Sequence, residues 1–572
     1  MVNHRKEIYY YIGVIIAIAV MAWNLCFDIV GDEMHYLATT YRFFRGDAML
    51  IDDWSPEQLN AALQMPFFAL FEAITGTTAG VVLYMRFIYL AIQVLVFLFC
   101  LKHLPSENIW AKRIGLLAYL FFVPYNLCTI SYNTMPLSMM LLVLTILLEQ
   151  ELVFGAEVNV KNMLLAGVFL ALAVLGNPYC VLMYIAYAIV VVFRRKNAFS
   201  WKSLLWLTIG AGIIAIIFFT FLLSRESMAD IIAGIGYVLS EPDHTQTFSG
   251  KAIEFLIQSK NSLKLIGIGG VLTLIVWAID KKKDSHVYVY NSIIFLLVII
   301  NTLMLSIRYK TSMLFVGNYV MYMLLMGFIL YCIINKKWNA YMIISIVGGV
   351  LYSFCTFMAS NTITLSTSAA MNVGAVLGMV IVIQDILDLT KKCNAADSVM
   401  IDNKGENEKE SHAVASYKIV APVYIGALIG FLFISRILFL WNGNIHSSDT
   451  VLNTYGPTKG IYTLESTWAE QVRKYNALDA LEISSDDYLY CCSSDGSNYL
   501  YAEARLGTFA SPFFVMNYDR LMEYYEVHPE RFPTKVYYPN PTDEDEASEF
   551  FKIMDEKGYT FTDIDGSLII SK

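Results

Sequence analysis

Two adjacent carboxylates, Asp32 and Glu33, follow directly on an apolar run from Ile8 to Val30, in the stretch Gly31-Asp32-Glu33-Met34-His35-Tyr36. An acid pair is not needed to end a membrane helix. At the edge of a membrane-embedded cavity, a carboxylate can accept a proton from a hydroxyl or hold a cation where the substrate itself lies in lipid. A plainer use is also open, with Asp32 capping the next helix and Glu33 solvated at its positive end. Basic groups recur at the same level. Arg86 lies inside the second apolar run, at a depth where a guanidinium faces a cavity or an ion-pair partner, or snorkels. Arg308 and Lys310 sit in a short later connection, where headgroup anchoring competes with ligand binding, and Arg225 sits in a long one. Acids and bases converging near the lipid phosphate level suit a substrate with a phosphate head and a lipid tail.

The elements that must position these groups are helices. The chain has 572 residues, of which 57% are hydrophobic and 16% charged. Apolar runs long enough to cross hydrocarbon as helix recur from the N-terminus to Trp441. Only helices and closed barrels satisfy their backbone groups in lipid, and these runs are too long for barrel strands. The first run is too long for a signal peptide and has no small-residue cleavage pattern before Asp32, so it is expected to remain as an anchor. The reading is an all-α polytopic membrane bundle of about 13 transmembrane helices with a small C-terminal extracytoplasmic α/β domain. The spans fall near 8–30, 80–101, 114–130, 135–153, 163–176, 178–193, 203–223, 263–279, 287–306, 313–334, 339–359, 368–388 and 419–440.

Alternate connections carry the Lys and Arg clusters, among them Arg5-Lys6, Lys112-Arg113, Arg194-Arg195-Lys196, Lys281-Lys282-Lys283 and Lys336-Lys337. The positive-inside rule puts these in the cytoplasm and the Asp32-Glu33 connection outside, in a multi-pass cell-membrane protein with a cytoplasmic N-terminus. Residues 1–440 then form the membrane domain, with external loops 31–79 and 224–262 and a polar cytoplasmic linker over 390–418. Residues 441–572 form the external domain. They hold 22 Asp and Glu against 10 Lys and Arg, a net −12, whereas the whole chain is −9. The acidity belongs to that domain, and nucleic acid is not an expected partner.

Several chemistries find no support. The nine cysteines and eight histidines show no metal-ligand spacing. There is no phosphate-binding G-x-x-x-x-G-K-[ST] loop and no strand followed by G-x-G-x-x-G. The first long loop should carry amphipathic interface helices over Glu33–Phe44 and from Ser55-Pro56-Glu57 toward Phe71, with Ser55 as N-cap. Both long external loops are suited to closing a site against water. In the external domain, Asp487–Cys491, Lys535–Tyr538 and Ser567–Ser571 read as strands, and Tyr518–Val527 and Glu546–Lys557 as helices.

Asp32-Glu33-x-x-Tyr36, then Gly46-Asp47, then Pro66, within this layout, resembles the GT-C glycosyltransferases and in particular their aminoarabinose transferase branch. The superfamily also includes protein O-mannosyltransferases. The resemblance implies transfer of a hexosyl or pentosyl group from a polyprenyl-phosphate donor to a glycan, lipid or protein acceptor of the cell envelope. Transfer would occur outside the membrane, with inversion. It implies Asp32 as the base, its pKa raised by neighbouring Glu33, and His35, Tyr36, Gln64, Arg86, Tyr132, Asn133, Arg225, Arg308 and Lys310 around the substrate. No metal is demanded, although an acid pair can hold Mg²⁺ or Mn²⁺. The chain departs from the branch at His35, where an Arg is usual, and at Gln64-Met65-Pro66, where Lys-Pro is usual, so the phosphate needs other cations. A lipid-linked sugar or polysaccharide translocator is the alternative. It predicts polar residues along a path at mid-bilayer, whereas the charged groups here gather at one face. The abundance of Tyr, Asn and Ile and the absence of any long external glycosylation tract suggest a bacterial plasma membrane protein.

Overall fold

The computed structural model describes residues 2–29, 31–240, 247–279, 316–336, 338–360, 372–402, 425–437, 449–493, 495–511, 518–539 and 544–572. The apolar runs among them are helical. The first twelve helices are α1 (Val2–Asn24), α2 (Gly31–Phe44), α3 (Ala61–Thr75), α4 (Val81–His103), α5 (Ile109–Gly115), α6 (Leu117–Leu120), α7 (Thr134–Glu149), α8 (Val160–Gly176), α9 (Val181–Arg194), α10 (Trp201–Leu223), α11 (Met228–Leu239) and α12 (Phe248–Ile279). Helices Val316–Asn335, Ala340–Ala359 and Asn372–Asp402 follow. Among the described residues, five helices are long and apolar enough to cross a membrane, and shorter apolar helices such as Val160–Gly176 and Ile425–Ile437 join them. The expected ninth span, 287–306, lies outside the described residues.

Where α8 and α10 cross, a Cβ on Gly167 would lie 1.9 Å from the Leu207 carbonyl and one on Gly210 would lie 2.0 Å from that of Leu164. Glycine on both helices lets the backbones touch. Close approach of this kind drives helix association where lipid removes the hydrophobic incentive.

The expected third span is not one helix. α5 and α6 are short, and a 3-10 turn at Pro124–Asn126 follows, with Tyr125 and Asn126 at φ 55° and 53°. Pro124 has no N–H to continue a ladder. The carbonyls left over are taken up by side chains. Gln93 Nε2 donates to the carbonyls of Tyr119 (3.1 Å) and Phe122 (2.9 Å), and Arg436 Nη1 donates to that of Leu120 (2.5 Å) and to Gln93 Oε1 (2.9 Å). Non-helical backbone at such depth needs internal partners, and here it has them. The break carries Tyr132 and Asn133 into the interior.

The first long loop also departs from expectation. α2 is buried from Glu33 through Phe43, so it is a core helix between the bundle and the C-terminal domain and not an interface helix. Gly46, at φ 114°, ends the turn after it. Ser55 does not cap a helix, because its hydroxyl donates to Asp53 Oδ1 (2.6 Å). A 3-10 turn at Gln58–Asn60 leads into α3. The linker expected over 390–418 begins inside a helix that runs to Asp402, and the rest of it lies outside the described residues.

The C-terminal domain matches its expected elements. Strands β1 (Thr450–Leu452) and β2 (Tyr462–Leu464) form a hairpin, and β3 (Tyr488–Cys491), β4 (Arg505–Leu506), β5 (Lys535–Tyr538), β6 (Thr560–Ile564) and β7 (Ser567–Ser571) form a sheet of order β4-β3-β5-β7-β6. β3 pairs in parallel with β4 and β5, while β7 runs antiparallel to β5 and β6. Cys491 and Cys492 pack into different apolar clusters, as alternation along a strand requires. The domain is pinned to the bundle by the segment after α1. Asp28 N–H donates to the Tyr462 carbonyl (2.8 Å), and Tyr462 N–H donates to that of Cys26 (2.7 Å).

Candidate active site

The adjacent acids have opposite environments because successive helical positions face about 100° apart. Glu33 is 1% exposed and bound to Arg86 of α4, with Nε 2.9 Å from Oε1 and Nη2 2.6 Å from Oε2. Arg86 Nη1 donates to the carbonyls of Leu25 (2.8 Å) and Phe27 (3.0 Å), and Nη2 also donates to that of Asp28 (2.8 Å). All five guanidinium N–H groups therefore have acceptors. Glu33, expected in the catalytic pair with Asp32, and Arg86, expected around the substrate, are here bound to each other. The pair ties the end of α1 to α2 and α4.

Asp32 remains partly exposed, and no Arg or Lys pairs with it among the described residues. Burial is the main force raising its carboxyl above the ordinary aspartate range, Glu57 adds to the rise, and His35 opposes it. The expected contribution of Glu33 is replaced by that of Glu57. This second carboxylate sits just before the 3-10 turn, in the Ser55-Pro56-Glu57 stretch that reads as a helix start. The available signal was an acid within the first long loop.

His35, one turn on from Asp32, connects the two sides of the site. Its Nε2 lies 3.5 Å from Glu57 Oε2, and its Nδ1 lies 3.1 Å from the hydroxyl of Ser511 in the C-terminal domain. The rings of Tyr36 and Tyr132 meet edge to face at 5.7 Å. Asn133, the next residue, is buried. Burial, together with the surrounding phenols and acids, pushes both phenols up, so they stay neutral and act as hydrogen-bond groups. Gln64 accepts from Thr40 Oγ1 (2.7 Å) and donates to the Ile130 carbonyl, tying α2, α3 and the broken span together. Thus Asp32, His35, Tyr36, Tyr132 and Asn133 come together with Glu57, and Gln64 braces them from below.

Arg225 stands elsewhere. Its Nη1 donates to the carbonyls of Phe43 (2.7 Å) and Asp47 (2.5 Å), at the C-terminal end of α2. Arg308 and Lys310 lie outside the described residues. Sequence reading also missed a buried charge network behind the site. Arg42 binds Asp47 (2.5 Å) and Asp53 (3.3 Å), while Arg531 of the C-terminal domain binds Asp47 (2.5 Å) and Asp52 (2.7 Å). It locks the loop that carries Glu57 against the domain. Among the described residues, no group of three or more His, Cys, Asp and Glu converges on a point where a metal could sit.

Residues 65–259 match a family described as "Predicted membrane protein (DUF2142)". No curated protein sequence matches the chain. Among solved structures, the chain is similar to ArnT from Cupriavidus metallidurans in the apo state, at 10% identity and TM-score 0.53, covering all of this chain and 98% of that one. The same protein bound to undecaprenyl phosphate gives 9% identity and TM-score 0.49, covering 98% and 97%. The archaeal oligosaccharyltransferase AglB from Archaeoglobus fulgidus, in complex with an inhibitory peptide and a dolichol-phosphate, gives 12% identity and TM-score 0.47, covering 99% and 74%. With five membrane-length helices among the described residues, a C-terminal mixed domain and an ArnT-like course, the chain is a membrane protein with the fold of ArnT.

Proposed function

We propose that the protein is a glycosyltransferase that moves a hexosyl or pentosyl group from a polyprenyl-phosphate donor to a cell-envelope acceptor. Asp32 is its base. The observation that carries this reading is the split within the acid pair: Glu33 is consumed by Arg86, whereas Asp32 is partly exposed, unpaired with Arg or Lys among the described residues, and raised in basicity by burial and Glu57. A carboxylate in that state takes a proton well. Asp32 accepts the acceptor's hydroxyl proton, the oxygen forms a bond to the anomeric carbon, and the bond from that carbon to the phosphate oxygen breaks. The configuration inverts, and polyprenyl phosphate leaves as an anion that Arg308 or Lys310 stabilises. No metal takes part in this scheme. The Lys- and Arg-rich connections face the cytoplasm, so the site and the C-terminal domain face outward, in a bacterial plasma membrane.

Mass spectrometry of lipid-linked sugars in cells lacking the protein tests this. One polyprenyl-phosphate sugar should accumulate, be cleared by the wild-type gene, and persist with Asp32→Asn, since loss of a positioned base slows a reaction by roughly 10²–10⁴-fold. Clearance by Asp32→Asn would remove Asp32 from the chemistry. An unchanged lipid-linked sugar pool on deletion would remove the proposed donor.

A further inference from the structure

Among the described residues, the C-terminal domain brings Ser511 to His35. We propose that Ser511 is a positioning residue that holds the His35 ring with its Nε2–H toward Glu57 in both the neutral and the charged form of the imidazole. This rests on the transferase reading above.

Ser511 is fully buried, with its Oγ 3.1 Å from His35 Nδ1, 2.7 Å from Thr39 Oγ1 and 3.5 Å from the His35 carbonyl. Its backbone is held nearby, because Trp54 N–H donates to the Phe509 carbonyl (2.8 Å) and the Trp54 ring lies 6.0 Å from that of Phe509. An ionised carboxylate only accepts hydrogen bonds, so a ring nitrogen facing Glu57 serves it best when it carries hydrogen. In the neutral ring, Nδ1 is then an acceptor, and in the imidazolium it is a donor. A hydroxyl meets both demands by rotating. When Ser511 donates to Nδ1 it accepts from Thr39, and when Nδ1 donates to Ser511 the serine hydroxyl donates to Thr39 or to the His35 carbonyl. An amide or carboxylate in its place would lack this freedom to rotate a single O–H. The ring therefore keeps its aim while its charge changes, and Glu57 keeps its place beside Asp32.

This gives the external domain a part in the reaction without touching substrate. It also explains why a serine sits at a fully buried position facing a helix from 476 residues earlier.

The test uses the full chain in liposomes with ¹⁵N-labelled histidine, and His35→Gln identifies the His35 signals among those of eight histidines. Magic-angle-spinning spectra should show His35 with hydrogen on Nε2 and a hydrogen-bonded Nδ1. Ser511→Ala should shift the Nδ1 resonance and populate the second tautomer. In complemented cells it should slow clearance of the accumulated lipid-linked sugar by about 3- to 10-fold, the loss of one hydrogen bond. Affinity for undecaprenyl phosphate should stay at the wild-type value. Ser511→Gly, which removes the same hydroxyl without added bulk, should behave alike and serves if the alanine protein fails to insert. Unchanged His35 resonances in both variants would overturn the positioning role. The spectra are read without substrate, so that result is separate from failure of the transferase reading, which would appear as undiminished clearance by Asp32→Asn.

Discussion

Arg86 Nη2 lies 2.6 Å from the carboxylate of Glu33, 53 positions earlier in the chain, and both side chains are out of water. The contact decides the roles of two neighbours at once. It commits Glu33 to structure and leaves Asp32, one residue before it, to face the site.

Stability should separate these two acids. Removing one partner of a buried ion pair leaves an uncompensated charge and destabilises by about 3–5 kcal/mol. Glu33→Gln and Arg86→Gln should therefore both lower the unfolding temperature of the detergent-solubilised protein. For Asp32 the sign is reversed. Its carboxyl is raised in the folded chain, so ionisation above the unfolded value opposes folding, and Asp32→Asn at neutral pH should be no less stable than wild type. Calorimetric or fluorescence melting of the three variants checks this ordering, and equal loss in Asp32→Asn would give Asp32 a structural role.

The rate of sugar transfer should fall on acidification with a midpoint above the ordinary aspartate range, because Asp32 must be ionised to accept a proton and its carboxyl is raised by burial and by Glu57. Glu57→Gln removes a charge that raises it, so the acid limb should move to lower pH. His35→Gln removes a group that lowers it, so the limb should move to higher pH. Rate–pH profiles of the two variants, compared with wild type, decide the matter. A limb that moves in neither belongs to another group.

Donor affinity should depend on cations other than Arg86 and Arg225. Arg86 is saturated by acceptors, and Arg225 binds the backbone carbonyls of Phe43 and Asp47. Arg308 and Lys310, which lie outside the described residues, are the other two cations that the sequence offers, and Arg308 is ranked first. A charge-assisted hydrogen bond contributes about 1.5–3 kcal/mol, so replacing the right residue by Gln should weaken undecaprenyl phosphate binding by roughly 10- to 150-fold. Titration of Arg308→Gln and Lys310→Gln, with Lys337→Gln as control, measures it. Wild-type affinity in both would take the phosphate away from this connection.

Sidedness is open to labelling in intact cells. Ser485→Cys, at an exposed position of the C-terminal domain, should react with a membrane-impermeant maleimide above the level of the wild-type chain. Lys196→Cys, exposed in the connection between α9 and α10, should not. The reverse pattern would put Asp32 on the cytoplasmic side and remove the proposed donor geometry.

The sequence by itself determined those properties that are sums over neighbouring residues. Hydropathy accumulates along a run, so the membrane helices and their approximate limits were readable, as at Val81–His103 and Trp201–Leu223. Alternation and turn residues are equally local, and they marked β3, β5 and β7. The acid pair after the first helix was visible for the same reason. What each acid does was not, because that depends on which helix crosses behind it. Composition alone left α5–α6 as one apolar run, and only packing shows Gln93 and Arg436 donating to the carbonyls at its break. Glu57 and Ser511 reach the site from 25 and 479 positions beyond Asp32 in the numbering, the second through a separate domain. Side-chain pairing at that separation is a property of how the elements cross and dock, and the tertiary structure alone decides it.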